Sequence, residues 1–366
     1  MYKEQPLNPQ EGFSVGLLEQ YQPKPLLRDC KQLEELSEQY DISKEDIALI
    51  ALNCSGLYAP FLSYHRGRFD VTLPGNRSYK IALTITPKPL SRFEHDGAQV
   101  LLNGSSFLQA GLIEEDTCTD SYWRKGKQHL TLNSNLRSTC RGCGFCRTYD
   151  LPKDDEALLN ATKIEKKAVS LCEETSSDLS KMEALGVVTG CFPDEEKVVD
   201  HLLLLRSVFK KYGFRGEIQY VGSQIRTSGS IGRLLETGPF SYYLTLECFQ
   251  RRDILMKQTK ASLALGQGVQ LLSAAKKLGA ETSFLYIAGL DDLEAIQAGF
   301  SDFSQVVTRM PLIQTFQLYQ PEQIVLRHPE AQQLDYYLRT RILAESIFPD
   351  LIPDIDLNYR GLWFKS

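Results

Sequence analysis

The stretch HLTLNSNLRSTCRGCGFCRTYD, residues 129–150, decides how this sequence is interpreted. Its first part alternates apolar and polar residues over 129–136, which predicts a β-strand. Three cysteines follow within seven residues, Cys140, Cys143 and Cys146, in a C-x2-C-x2-C spacing. A short glycine-containing loop of this kind can place three thiolates around one iron-sulfur cubane, and bacterial ferredoxins add a fourth cysteine after three more residues. Here that fourth position is Asp150, so the run predicts a [4Fe-4S] cluster with one iron left open for a ligand.

Three other interpretations of the cysteines are open. A distant thiolate such as Cys191 or Cys248 would close the cluster, as an electron carrier requires. A zinc site can use the same spacing, but it needs one more Cys or His, and the nearest histidine, His129, lies within the predicted strand. Three unrelated thiols are the last alternative, which such tight spacing disfavours. The pattern favours an open cluster over zinc, and zinc over a closed electron carrier.

From His129 onward the chain alternates strand and helix, which predicts parallel strands joined by right-handed crossovers. The predicted strands are 129–136, 185–190, 217–221, 242–246, 283–288 and 315–318, with 306–307 as the alternative for the last. The predicted helices are 156–175, 194–212, 230–237, 253–278, 291–299 and 334–348. About six units fit an α/β fold of the partial (β/α)6 TIM-like barrel type, and a doubly wound sheet fits the same pattern. In a barrel, chemistry belongs at the carboxyl ends of the strands, where the cysteines stand.

The residues up to about Asp120 predict a small α+β cap. Short helices over 31–40 and 44–51, the second with Ser43 as N-cap, precede period-two segments at 69–73 and 79–85 around a turn at 74–76. Two tight-turn dipeptides follow, Asp96-Gly97 and Asn103-Gly104. We therefore divide the chain into three parts. These are an N-terminal α+β cap domain, 1–127, a (β/α) barrel, 128–323, and a C-terminal helical extension, 324–366.

Composition excludes several classes of protein. The 366 residues are 42% hydrophobic and 24% charged, which excludes a disordered chain, a collagen-like repeat and a coiled-coil rod. With 41 basic against 46 acidic residues the net charge is -5, so nucleic acid is an unlikely partner. No run approaches the ~20 apolar residues of a membrane span, and the N-terminus has no apolar core of a secretory signal. We expect a cytoplasmic protein with no membrane partner, whose nine cysteines stay reduced.

The cysteine run resembles the signature of the radical S-adenosylmethionine (radical SAM) superfamily, C-x3-C-x-φ-C with φ aromatic. Phe145 fills φ, Cys143 and Cys146 match, and the first gap is one residue shorter than usual. The resemblance covers about 128–323 and implies that Cys140, Cys143 and Cys146 hold a [4Fe-4S] cluster. It further implies that S-adenosylmethionine (SAM) binds the open iron and that reduced flavodoxin or ferredoxin donates an electron. The resulting 5′-deoxyadenosyl radical then removes a hydrogen atom from a small-molecule substrate.

Later positions match the family more loosely and would bind SAM. After the second strand, Thr189 and Gly190 resemble the stretch that meets the methionine amino group, although a common βα turn looks the same. After the fourth strand, Glu247 and Arg252 resemble the polar pair for ribose and carboxylate, with a surface ion pair as the alternative. The fifth-strand segment that packs on adenine is represented by Ile287 and Gly289, which a buried strand end would also explain. The succession 286–292 and 314–321 resembles the biotin-synthase-like branch.

Two further functions compete with radical chemistry. One is transfer of the 3-amino-3-carboxypropyl group of SAM at the same cluster, which the shortened first gap makes less remote and which would release methylthioadenosine. The other is a non-catalytic iron-sulfur or zinc-binding protein, which needs a fourth protein ligand. Cys191 and Cys248 follow predicted strands and could face the barrel mouth as hydrogen donors or ligands of an auxiliary cluster. We expect both to pack beneath the loops, because buried free cysteine is common.

Overall fold

The computed structural model describes residues 26–62, 65–73, 77–86, 93–115, 121–135, 140, 142–148, 157–355, 357 and 359–364. These residues form two sheets with helices around them. The first sheet and its helices comprise α1 (Cys30–Tyr40), α2 (Lys44–Ser55), β1 (Leu57–Tyr58), β2 (His65–Leu73), β3 (Arg77–Thr86), β4 (Phe93–His95), β5 (Gln99–Leu102) and β6 (Ser105–Glu115). The strands of the second sheet are β7 (Ser121–Arg124), β8 (His129–Leu132), β9 (Ala184–Val188), β10 (Glu217–Gly222), β11 (Phe240–Glu247), β12 (Glu281–Ala288) and β13 (Leu312–Thr315). Its helices are α3 (Ala161–Thr175), α4 (Glu195–Lys211), α5 (Ser228–Leu235), α6 (Arg252–Leu255), α7 (Gln258–Ala261), α8 (Leu265–Lys277), α9 (Leu293–Phe303) and α10 (Leu334–Ile347).

The N-terminal strands close into a small barrel in the order β1-β3-β2-β6-β5-β4. Its two tight turns lie where the sequence predicts them: Gly97 (φ 110°) between β4 and β5, and Asn103 (φ 52°) with Gly104 (φ 78°) between β5 and β6. Helix α2 is buried almost all round, since it packs against β3, β13 and α10 at once. A helix that is apolar on every side belongs in such an interior position. It therefore joins the small barrel to the second sheet.

The second sheet has the order β13-β12-β11-β10-β9-β8-β7, and all its pairs are parallel except β7 with β8. Six parallel strands, each followed by helix or turn, give a curled half-barrel; no pairing joins β7 to β13 in the described part of the chain. Capping side chains start the helices outside it, for example Asn160 before α3 and Asp194 before α4. The structure therefore confirms the predicted partial (β/α)6 barrel with an N-terminal α+β part. The division at residues 127 and 323 stays a prediction.

Several element boundaries differ from those predicted. The first barrel strand ends at Leu132, before three non-strand residues, and the predicted end at Leu136 lies outside the described residues, as do the turn at 74–76 and the predicted helix start at Glu156. The helix predicted over 253–278 is wrong: Met256 and Ala264 are extended and divide it into α6, α7 and α8. The Arg252 guanidinium accounts for the break, because it donates to the carbonyls of Leu246, Cys248 and Leu263.

The sixth barrel strand, β13, covers Leu312–Thr315, so it shares only Thr315 with the predicted range 315–318 and nothing with 306–307. After Phe316, whose amide still donates to the Ala288 carbonyl, the chain leaves the sheet and contacts α2 and β3. Gln317 Nε2 donates to Asn53 Oδ1 (2.9 Å) and to the Ala82 carbonyl (2.7 Å), and the Leu318 carbonyl accepts from Thr84 Oγ1 (2.6 Å). The strand therefore ends where the chain begins to hold the two sheets together.

A C-terminal segment, described over 351–355, 357 and 359–364, crosses the open side of the half-barrel. Leu357 packs with Val221, Tyr243, Leu285 and Leu312 in the lumen. At one edge the Thr315 amide donates to the Arg360 carbonyl (2.8 Å). At the other edge the Tyr359 ring lies 4.9 Å from the Tyr122 ring. This segment bridges the two edge strands that do not pair with each other.

Candidate functional site

One cavity of about 250 Å³ occupies the lumen of the half-barrel and opens at the carboxyl ends of its strands. Four thiols line it, those of Cys140, Cys143, Cys146 and Cys191. The predicted residues Phe145, Thr189, Glu247 and Ile287 line it as well. The fold therefore brings the cysteine run and one residue from each of three later strand ends to a single space.

Two glycines and one glutamine hold the cysteine loop in place. Gly142 has φ +106°, and a Cβ there would lie 2.8 Å from Cβ of Lys257, so only glycine fits. The Gly144 amide donates to the Leu255 carbonyl (2.8 Å), and its own carbonyl accepts from Gln323 Nε2 (2.7 Å). Both partners come from elements that follow later strands. The loop is consequently fixed against the half-barrel through its backbone, which leaves its thiols to face the cavity.

Phe145, the aromatic residue before the last cysteine, is buried beneath the loop. It belongs to an apolar cluster that reaches from the cysteines to the fifth and sixth strand ends. The buried members of this cluster are Phe145, Cys248, Leu255, Met256, Leu290 and Phe316. Cys143 and Cys146 pack against the same cluster and are partly buried. The aromatic position thus anchors two thiols on an apolar support.

Cys140 and Cys191 form a close pair with a lysine. Their sulfurs lie 3.5 Å apart, and Lys257 Nζ lies 3.2 Å from Cys140 Sγ and also contacts Cys191 Sγ. The hydrogen bond from Cys140 and the ammonium group of Lys257 lower the pKa of the Cys191 thiol to about 5. The hydrogen bond with Cys191, burial and repulsion between two thiolates at this distance raise the pKa of Cys140. Lys257 therefore supplies the positive charge for sulfur at this end of the lumen.

The other two thiols lie in a different environment. Burial raises the pKa of the Cys143 thiol. Cys146 Sγ lies 3.1 Å from the Thr148 hydroxyl, which lies 3.1 Å from the Tyr319 hydroxyl. Hydrogen bonds to a cysteine sulfur and the burial around it are the means by which a protein tunes a bound iron-sulfur cluster. Thr148 and Tyr319 supply such a contact here.

Glu247 stands at the end of β11 in a strained conformation. It has φ +67° and directly follows a β-bulge, and a non-glycine residue in this region costs about 1–3 kcal/mol. Its carboxylate forms an ion pair with Lys260, and because Glu247 faces it the pKa of Lys260 is raised in spite of burial. The alternative interpretation, an ion pair between Glu247 and Arg252, is not what the structure has, since the Arg252 guanidinium donates to backbone carbonyls. Sequence reasoning missed Lys257, which lies directly before α7, and Lys260, which lies within it, because this part of the chain was predicted as one long helix.

Three predicted residues do not line the cavity: Gly190, Arg252 and Gly289. The Gly190 amide donates to the Asn135 carbonyl (3.3 Å), so this glycine joins the second strand end to the first. Gly289 has φ +115°, and a Cβ there would lie 3.0 Å from Cβ of Phe316. Its amide donates to the Tyr336 hydroxyl (3.0 Å). Both glycines support the strand ends and stand behind the residues that face the cavity.

Cys191 and Cys248 lie in different environments, although we expected both to pack beneath the loops. Cys248 is fully buried in the apolar cluster under the cysteine run. Cys191 lines the cavity beside Cys140. The two cysteines differ in their distance from the end of the preceding strand. Strand β11 continues to Glu247, so Cys248 follows it directly, whereas β9 ends at Val188 and Cys191 lies further along the loop.

The donor set fits an iron-sulfur cluster better than a zinc ion. Among the described residues, no three His, Cys, Asp or Glu side chains stand close enough together to hold one metal ion. A structural zinc ion needs four ligands around a single centre, whereas a cubane spreads its thiolates over separate irons. The cavity also contains an unsatisfied polar atom, the buried hydroxyl of Thr245, which has no hydrogen-bond partner in the described part. Such an atom calls for a ligand.

The helices of the described residues are all too short or too polar to cross a membrane. Neither a family model nor a curated protein matches the sequence. Two solved structures are similar to this chain. Methylornithine synthase (PylB) is 16% identical with a TM-score of 0.43, over 64% of this chain and 71% of that chain. HydG, a maturase of the [FeFe]-hydrogenase, is 13% identical with a TM-score of 0.42, over 62% of this chain and 51% of that chain.

Proposed function

We propose that this protein is a radical SAM enzyme. With a [4Fe-4S] cluster bound, it would cleave SAM reductively to a 5′-deoxyadenosyl radical that takes a hydrogen atom from a small-molecule substrate. The observation that carries the proposal is the position of the C-x2-C-x2-C run. Its three thiols line one cavity at the carboxyl ends of six parallel strands, which is where barrel enzymes hold their chemistry.

Cys140, Cys143 and Cys146 are the residues that would hold the cluster. Their loop is fixed through Gly144 to α6 and to Gln323, so the thiols are positioned by packing before any iron arrives. When a cluster binds, the Cys140 sulfur would give up its contacts with Cys191 and Lys257 and bind iron instead. The charge of Lys257 favours the thiolate form of sulfur that a metal requires. This chain thus prepares the ligands that the cluster needs.

SAM would bind between the cysteine loop and the later strand ends. Thr189, Glu247 and Ile287 line that part of the cavity. Glu247 presents a carboxylate whose charge Lys260 compensates, which suits the hydroxyl and amino groups of a nucleoside-amino-acid conjugate. Ile287 presents an apolar surface of the kind that packs on a purine ring. Gly190 and Arg252 would act indirectly, by fixing the loops that carry Thr189 and Glu247.

Exclusion of water is the other task of the fold. Arg68 and Ala82 of the N-terminal barrel, together with Leu357 and Tyr359 of the C-terminal segment, line the same cavity. They cover the side of the lumen that a half-barrel leaves open. A reactive radical requires this protection, because the protein's share in such chemistry is binding, orientation and the exclusion of competing reactions. A cytoplasmic location and reduced flavodoxin or ferredoxin as electron donor complete the proposal.

The test is anaerobic reconstitution of the full chain with iron and sulfide, followed by dithionite and SAM. We expect inorganic sulfide and iron in a ratio near one, and release of 5′-deoxyadenosine. Methylthioadenosine as product would replace the proposal with 3-amino-3-carboxypropyl transfer. A protein that retains no sulfide, or that releases neither nucleoside, would overturn it.

A matched variant tests whether one iron is open. Cys191→Ser removes the fourth thiol of the cavity, and we expect it to retain the iron content of the wild type. If it loses iron as Cys146→Ser does, the cluster has four protein ligands and is closed. Cys248→Ala serves as the control, since that residue lies in the same part of the fold without facing the cavity.

A further inference from the structure

Cys140 and Cys191 form a pair of thiols of which the proposed function uses only one. Cys140 is one of the three residues that would hold the cluster, whereas Cys191 is not. Their sulfurs nevertheless lie 3.5 Å apart, and both side chains are partly exposed and line the cavity. The contact therefore needs a reason other than cluster binding.

The loops that carry the two thiols are hydrogen-bonded to each other. Asn135 lies in the segment that leads into the cysteine run; its carbonyl accepts from the Gly190 amide (3.3 Å) and its Nδ2 donates to the Cys191 carbonyl (3.3 Å). On the other side of Cys191, the backbone of Phe192 forms two hydrogen bonds with the Gln224 side chain, at 2.9 and 2.8 Å. The backbone of Cys191 is therefore held on both sides, and on one of them it is held to the segment before Cys140.

A lysine contacts both sulfurs at the same time. Lys257 Nζ lies 3.2 Å from Cys140 Sγ and also contacts Cys191 Sγ. Both cysteines lie outside helices and strands. A disulfide bond requires sulfurs ~2 Å apart, so rotation of the side chains and small adjustments of two loops have to close a gap of about 1.5 Å. The pair is thus a dithiol in a position to be oxidised.

The neighbouring thiols of the cysteine run have other contacts. Cys143 packs against the apolar cluster that contains Phe145, and Cys146 Sγ lies 3.1 Å from the Thr148 hydroxyl. Among the described residues, no second hydrogen bond joins two cysteine sulfurs. Cys140 is therefore the residue of the run that a further thiol contacts.

We propose that Cys140 and Cys191 form a reversible disulfide bond in the cluster-free protein, with a peroxide as the oxidant. One thiol attacks the O–O bond of the peroxide R–O–O–H and becomes a sulfenic acid, while R–OH leaves. The other thiol then displaces water from the sulfenic acid, which forms the S–S bond, so that one peroxide has taken two electrons from two thiols. A dithiol reductant returns both thiols.

The disulfide bond closes the cluster site until it is reduced. While Cys140 is bonded to Cys191, its sulfur is not available to iron. The bond also stops the oxidation of Cys140 at a reversible stage, because thiols do not restore sulfinic and sulfonic acids. This consequence rests on the proposed function, in which Cys140 is a cluster ligand, whereas the disulfide itself does not.

Peptide mapping of the cluster-free full chain tests the disulfide. The reduced protein is treated with hydrogen peroxide, its remaining thiols are alkylated, and it is digested with trypsin, which cleaves after lysine and arginine. Cys140 then lies on peptide 138–141, the other two cysteines of the run on 142–147, and Cys191 on 182–197. We expect 138–141 to be joined to 182–197, the number of free thiols to fall by two from nine, and dithiothreitol to reverse both changes. A bond from 138–141 to 142–147, or no bond at 138–141, would overturn the proposal.

Two variants test the role of the second thiol. In Cys191→Ser we expect peptide 138–141 to gain two or three oxygen atoms under the same treatment. After dithiothreitol it should then load at least ~2-fold less iron and sulfide than the treated wild type, because a ligand is irreversibly oxidised. Cys172→Ser removes a partly exposed thiol of α3 and should behave as the wild type does. Equal recovery of Cys191→Ser and the wild type would show that Cys191 gives Cys140 no protection.

Thermal unfolding of the reduced variants checks that they fold, and both should match the wild type. The mapping needs no cluster and no SAM. A missing disulfide is therefore distinct from a failure to release 5′-deoxyadenosine, which requires the cluster.

Discussion

Buried charged side chains are compensated differently at the two ends of the lumen. At the cysteine end two buried lysines have partners that can carry negative charge: Lys260 faces Glu247, and Lys257 faces two sulfurs. At the floor, the end of the lumen opposite to the cysteines, Glu217 and Arg309 form an ion pair. Arg124, at the same end, donates only to the side-chain amide oxygen of Gln219. A buried charge without a partner of opposite sign is costly to the folded state. The comparison therefore shows that charge is compensated more completely near the thiols than near Arg124.

The cysteine end should show the largest effects on activity. Replacing Cys146 by serine removes one of three thiolates, and we expect release of 5′-deoxyadenosine to fall by at least ~100-fold, because even partners behind the ligands are worth 10–100-fold. Iron and sulfide analysis accompanies the nucleoside assay. Cys248→Ala should retain the wild-type iron content. Retention of the full cluster by Cys146→Ser would break the comparison, since the thiols would not be ligands.

Replacing a glutamate by glutamine at each end compares how much the carboxylates of Glu247 and Glu217 stabilise the fold. Glu247→Gln leaves the buried Lys260 without a partner, and we expect a loss of about 3 kcal/mol in the free energy of unfolding. Glu217→Gln should cost less, about 2 kcal/mol, because Arg309 is one-third exposed. Urea denaturation measures both. Equal losses in the two variants would contradict the expected difference between the two ends.

Acid sensitivity should come from the cysteine end. His201 lies on α4 against Phe192, and its Nε2 is 2.7 Å from the Ser134 hydroxyl, so it supports the loops that flank Cys191 and the cysteine run. Burial lowers the pKa of His201 to about 4. The unfolded chain takes up this proton near pH 6.5, so the stability that His201 contributes is complete above that pH and is lost as the pH falls toward 4.

Between pH 7.5 and pH 4.5 this difference amounts to about 2.5 kcal/mol. His201→Gln should therefore lose less stability over that range than the wild type, as measured by urea denaturation at the two pH values. Identical pH profiles for the variant and the wild type would show that His201 is not the acid-sensitive group.

The smallest effect on the free energy of unfolding should come from the apolar cluster around Leu357, which lies in the lumen. Leu357→Ala empties a position that packs with Val221 and Leu285, and we expect a cost of about 2 kcal/mol in urea denaturation. Leu357→Met, which conserves volume, should cost less than about 1 kcal/mol. A similar loss in both variants would mean that the C-terminal segment does not pack as a unit in the lumen.

The sequence predicted the architecture and the cysteine site because both depend on local pattern. Alternating strand and helix gave the half-barrel, and spacing alone gave Cys140, Cys143 and Cys146. The residues that sequence reasoning missed depend on contacts between distant segments. Lys257 faces Cys191 because the helix predicted over 253–278 is interrupted just before it. The interruption accompanies hydrogen bonds from the Arg252 guanidinium to the backbone carbonyls of Cys248 and Leu263.

The same limitation explains the floor. Arg124 lies in the basic stretch 123–127, and such a stretch is typical of a solvated linker. Its burial follows from the antiparallel pairing of β7 with β8, and nothing in the local pattern fixes that direction.

The C-terminal segment has a consequence for biosynthesis. Leu357 and Tyr359, which close the open side of the lumen, are translated long after the three thiols of the cysteine loop. A nascent chain on the ribosome consequently exposes all three thiols while one wall of the lumen is still missing. Iron for the proposed cluster would have its widest entrance in that interval, before Leu357 and Tyr359 are added.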